Sequence, residues 1–73
     1  MPAPTLHLSF PLDQPLEQQL RRFLAVNCFV QQLSSLVRDL RHLVRQQLWF
    51  EDLGPVLLVY SREGEHIGYI VVE

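Results

Sequence analysis

Apolar positions in this chain repeat with two different periods. In TLHLSF, Leu6, Leu8 and Phe10 alternate with His7 and Ser9. That is the period-two pattern of a strand buried on one side, and it predicts a strand over about residues 5–10. From Leu16 the period becomes helical. Leu16, Leu20, Phe23, Leu24 and Asn27 share one side. Leu33, Leu36, Val37, Leu40, Leu43 and Val44 form a second stripe, with Ser35, Arg38, Arg41, His42 and Arg45 opposite. No proline or glycine interrupts residues 16–53, so a helical region is predicted over about 14–51. Asp13 is placed to cap its start, with Pro15 near the first turn, where proline is tolerated. Asp52-Leu53-Gly54-Pro55 is the predicted exit: glycine takes the left-handed cap and proline ends the helix.

The region reads as one long kinked helix or as two helices. A single helix over 16–50 would be about 50 Å long, at 1.5 Å per residue. The two stripes lie more than about 100° apart in helical projection. A kink or tight turn within Asn27–Ser35, with Ser34 or Ser35 as the second cap, brings both stripes onto one core. A continuous helix inside a larger assembly is the alternative.

After the helices, PVLLVY and HIGYIVV are rich in β-branched and aromatic residues, and SREGE joins them. Gly64 is placed for positive φ in a short loop, so a β-hairpin is predicted over about 55–72. The fold class that follows is α+β, in the order β-α-(α)-β-β. A small antiparallel sheet, made of the N-terminal strand and the C-terminal hairpin, packs on the helical region. Val56 to Tyr60 are apolar on both faces of their strand. Helices cover only one face of so small a sheet. Either the sheet curls around them, or its other face or an unpaired edge meets another chain; its strands carry no lysine and no internal proline to blunt such an edge.

Length and charge narrow the function classes. Seventy-three residues allow one small domain, which buries only about 60% of its unfolded surface. The formal net charge of −2 argues against a strongly basic nucleic-acid binder. All six basic residues are arginine, a residue suited to planar, bidentate contacts. Residues 21–45 hold five arginines against Asp39, a balance of +4, and residues 51–73 hold five acids against Arg62, a balance of −4. No apolar run nears the ~20 residues of a membrane span, and the first residues lack the plan of a signal peptide. A cytoplasmic protein with no membrane partner is expected.

The chemistry-bearing residues do not converge. Cys28 lies in an apolar stretch, where a cysteine packs rather than reacts. His7, His42 and His66 fall on three different elements without ligand spacing, so no metal site is expected. There is no glycine-rich phosphate loop, no Gly-x-Ser-x-Gly and no His-Glu-x-x-His. A chain of this size leaves little room for a pocket of several hundred Å³. No enzyme activity, no cofactor and no small-molecule substrate are expected. Arg38, Arg41 and Arg45 recur at i, i+3 and i+7 on one helix face, either as a solvated surface or as a site for an anionic partner. Trp49 and Phe50 either close the core or supply an aromatic anchor. The candidate interaction surface is Arg38, Arg41, Arg45, Trp49, Tyr60 and Tyr69.

TLHLSFPLD, followed by a helix and then by SSLVRDLRHLV, resembles the ribbon-helix-helix repressors and antitoxins over about 40 residues. That resemblance implies a strand paired with its twin in a dimer and reading the DNA major groove through Thr5, His7 and Ser9. Ser34, Ser35 and Arg38 would contact phosphates. The chain departs from that pattern: it lacks a glycine turn between helices, and its hairpin has no place in the minimal fold. The leading expectation is therefore a non-catalytic protein-interaction module, a homodimer or a small subunit or adaptor of a larger assembly. The alternative is a small DNA-binding regulator or antitoxin.

Overall fold

The computed structural model describes residues 4–27, 33–45 and 47–72, with Ser34 by its backbone only. Six elements follow one another: β1 (Pro4–Leu8), α1 (Gln14–Val26), α2 (Ser34–Val44), β2 (Leu48–Asp52), β3 (Val56–Ser61) and β4 (His66–Val72). The fold is α+β, with two helices and a four-stranded antiparallel sheet in the order β1-β4-β3-β2. Both β3 and β4, the strands of the expected hairpin, are interior. The edges are β1 and β2.

The helical region is broken where its stripes diverge. Asp13 stands at the N-cap of α1 without a side-chain capping bond, and Pro15 lies in the first turn. At the other end the backbone N–H and side-chain Nδ2 of Asn27 both donate to the Phe23 carbonyl, at 3.1 and 2.9 Å. Helix α2 starts after Leu33, which takes the cap position with no side-chain bond. Ser34 and Ser35 are therefore inside the helix and do not cap it. Residues 28–32, including Cys28, lie outside the described residues.

The expected helix to residue 51 ends instead at Val44. The Val44 carbonyl accepts from the Gln47 N–H at 3.0 Å. Between them Arg45 has φ 53° and ψ −118°, the backbone of the first central residue of a type II′ turn. The chain leaves that turn extended, and LWFED becomes β2. Leu48 and Phe50 are buried while Trp49 and Glu51 are exposed, the alternation of a half-buried strand. Gly54, at φ 90°, serves a hairpin turn between β2 and β3. There the Asp52 carboxylate accepts from the Gly54 N–H at 2.9 Å, and Leu53 donates to the Val56 carbonyl at 3.0 Å. Gly64, at φ 91°, does the same between β3 and β4. Its N–H donates to the Ser61 carbonyl at 2.9 Å, and Ser61 donates to the Glu65 carbonyl at 2.7 Å.

One layer of side chains forms the core. Leu20 and Leu24 from α1, and Leu33, Leu36, Val37, Leu40 and Val44 along α2, meet Leu6, Leu48, Phe50, Leu57, Val59 and Ile70 from the sheet. The two helix stripes are those read from the periodicity. Helix α1 packs toward β1 and α2 toward β2, so the helices divide one face of the sheet between them. A register shift at Val59/Tyr60 adds a residue to β4, and Ile67 is buried beside the core as a result.

Two backbone positions follow opposite rules. At Gly68 a Cβ would overlap the His7 carbonyl oxygen and stand 3.1 Å from Leu8 Cα, so β1 and β4 approach only because glycine is there. Gly68→Ala is expected to cost more than about 1 kcal/mol, lowering the melting temperature by at least about 5 °C. At Arg45 the side chain opposes the backbone, and Arg45→Gly should stabilise by about 1 kcal/mol. Thermal melts followed by circular dichroism read both signs.

Candidate interaction face

The core takes every second residue of each strand, and the remainder point away from the helices. Cross-strand register arranges them in rows. Thr5, Val71 and Val56 form one row, and His7, Tyr69, Leu58 and Glu51 the next. Tyr60 and Trp49 are cross-strand partners in a third row, which His66 extends across the bulge. Trp49 is 54% exposed and Tyr69 38%, whereas Val56, Leu58, Tyr60 and Val71 are half-buried. Such alternation normally sets polar residues outward. Here β3 reads VLLVY, so its outward residues are as apolar as its inward ones.

The face is ordered by its own side chains. His7 stacks on Tyr69 with ring centroids 4.8 Å apart and planes 18° apart. Tyr60 and His66 meet at 5.5 Å, tilted by 51°. The Tyr60 hydroxyl donates to Glu51 Oε2 at 3.2 Å. Loss of hydration, the hydrogen bond to that carboxylate and the carboxylate's negative charge all raise the Tyr60 phenol above its ordinary value of 10.

The proposed surface residues thus separate into two groups. Trp49, Tyr60 and Tyr69 share the outer sheet face. Arg38, Arg41 and Arg45 are exposed on the side of α2 that faces away from the core, with His42 beside them. Trp49 does not close the core; Phe50 does, at 8% exposure. Sequence reasoning grouped Trp49 with the arginines because it continued the helix through residue 49. The two-sided apolar character of Val56 to Tyr60 pointed to a second sheet face. Val56, Leu58 and Val71 were nevertheless not placed in the candidate surface, and His7 and Glu51 were not assigned to it. The alternation in Leu48–Glu51 was the available signal.

An open cavity of about 540 Å³ lies beside α1, larger than expected for so short a chain. Gln18, Gln19, Arg22, Phe23, Val26 and Leu43 line most of it, and among the described residues its lining is amide, apolar and one guanidinium. Among the described residues no three His, Cys, Asp or Glu side chains converge as metal ligands. No helix there is long and apolar enough to cross a membrane.

The Tyr60 phenol gives a direct reading of the face. The folded chain favours the neutral form, so this group's contribution to stability is present below pH 10 and is lost as pH rises past it. With Tyr69→Phe, Tyr60 is the sole tyrosine of the chain. Its absorbance titration should then have a midpoint above 10 that moves down when Glu51→Gln is added. A midpoint at 10 in both variants would contradict the geometry.

Comparison with protein-family models, curated proteins and solved structures finds no match to this chain. Its functional reading rests on the geometry of the face.

Proposed function

We propose that this chain is a non-catalytic protein-interaction module, a homodimer or a small subunit of a larger assembly, that docks through the outer face of its sheet. The observation that carries this reading is the exposed Trp49 beside Tyr60, in one apolar field with Leu58, Tyr69, Val56 and Val71. Contiguous apolar surface on a small domain marks contact sites. Tryptophan and tyrosine supply most of the affinity in such contacts, because they bury large area at low entropic cost. The polar groups, Glu51, His7, His66 and Thr5, lie around the apolar centre, the arrangement of a docking core with a hydrated rim.

The exposed row Arg38, Arg41 and Arg45 favours a second reading, the DNA-binding regulator. Against it, β1 already pairs with β4 of its own chain. The face carrying Thr5 and His7 offers apolar side chains and Glu51 in place of arginines.

A photo-crosslinking amino acid at position 49, compared with one at position 41, tests the docking face in cells. Crosslinks to protein are expected from position 49, identified by mass spectrometry, and few from position 41. Protein crosslinks confined to position 41, or crosslinks to DNA there, would overturn the reading.

A further inference from the structure

Resting on the docking reading, we propose that the occupant of the outer face is a second copy of this chain. The two sheets lie face to face about a two-fold axis parallel to their strands. The row His7–Tyr69–Leu58–Glu51 carries the argument. His7 stands on β1 and Glu51 on β2, the two edges of the sheet, at the same level along the strands. A two-fold axis along the strands exchanges the edges and preserves the level. Each His7 then lies over the partner's Glu51, and Tyr69 lies over the partner's Leu58. The match occurs twice, as closed two-fold symmetry requires.

The other in-plane axis, perpendicular to the strands, gives the opposite result. It keeps each edge over itself and brings Glu51 against the partner's Glu51, a like-charge contact that disfavours association. Charge therefore selects one of the two face-to-face arrangements. The selected one also agrees with the aligned packing of twisted sheets, about 10 Å apart with strands within about 30° of each other.

The size of the face sets the strength. Four strands about 4.8 Å apart, and three rows about 7 Å apart, give a footprint of roughly 400 Å² per copy. Trp49 and Tyr69 stand above it and add accessible area. A typical partner surface of about 800 Å² would be roughly a sixth of the chain's 4987 Å². The pair falls at or below that standard, so a weak, reversible dimer is expected rather than an obligate one.

Sedimentation equilibrium of the purified chain from about one to several hundred micromolar reads the proposal. A monomer–dimer equilibrium is expected, with the mass rising from 8.6 kDa toward twice that value. His7→Glu sets a carboxylate over the partner's Glu51 and should weaken the dimer about tenfold or more. Adding Glu51→Lys to His7→Glu restores opposite charges and should bring the dissociation constant back to within about threefold of the parent. Circular-dichroism melts confirm that each variant is folded. A constant mass of 8.6 kDa overturns the second copy; if position 49 still crosslinks to another protein, the docking reading stands without it. A dimer that His7→Glu leaves intact, or that the double variant fails to restore, overturns the arrangement.

Discussion

Two short helices cover one face of a four-stranded sheet, and the other face must then be furnished by the sheet itself. In an ordinary sheet of this kind the outward residues are polar and water completes the structure. Here β3 and β4 are apolar on both sides. Leu57, Val59 and Ile70 are fully buried beneath the helices, while Val56, Leu58 and Val71 in the same strands remain half-buried with no helix above them. The stack of His7 on Tyr69 and the Tyr60–Glu51 hydrogen bond cover part of that surface and hold its aromatic rings in place. They leave Trp49 in water. An exposed tryptophan on an otherwise apolar face costs solubility, and contact with another protein surface removes that cost.

The edges of the sheet are guarded while its face is not. The β1 strand opens with Pro4, which lacks an N–H for a further ladder bond, and β2 closes with Glu51 and Asp52, whose charges repel a second copy of the same edge. The strands that seemed open to edge pairing, β3 and β4, are both interior. Pairing by strand addition is thus disfavoured at both edges. The arginines of α2 lie on the opposite side of the molecule, beyond the helices. There they keep the outer surface of the helix layer hydrated, away from the outer face of the sheet.

Much of this fold was legible because its period changes are sharp. Both helix stripes and the Gly64 hairpin appear in the structure where the sequence put them. The N-terminal strand instead ends at Leu8, and Phe10, expected on its buried side, lies beyond it and is 59% exposed. What could not be read was the end of α2. A helix normally stops at glycine or proline, but this one turns at Arg45 with positive φ, and no punctuation marks the place. Leu48 and Trp49, following RQQ, then read as further helix. That single error moved Trp49 from a sheet to a helix and merged two surfaces that lie on opposite sides of the chain. The aromatic members of the face were recognisable by residue type. Its charged members, His7 and Glu51, were not, because their relation exists only through the register of four strands.

Folding and docking are separable in this architecture. The buried hydrophobic residues lie in the layer between helices and sheet, or beside it at the Ile67 bulge. None of them depends on the outer face for its burial. A chain that needed its partner to complete a core would place fully buried residues on both sides of the sheet, and its monomer would be unfolded. Here the monomer keeps its own core, and the proposed binding to the outer face would add stability by mass action alone. Such an arrangement suits a contact that forms and dissolves with concentration. In the proposed docking, the apolar outer face would be a binding surface on a molecule already folded.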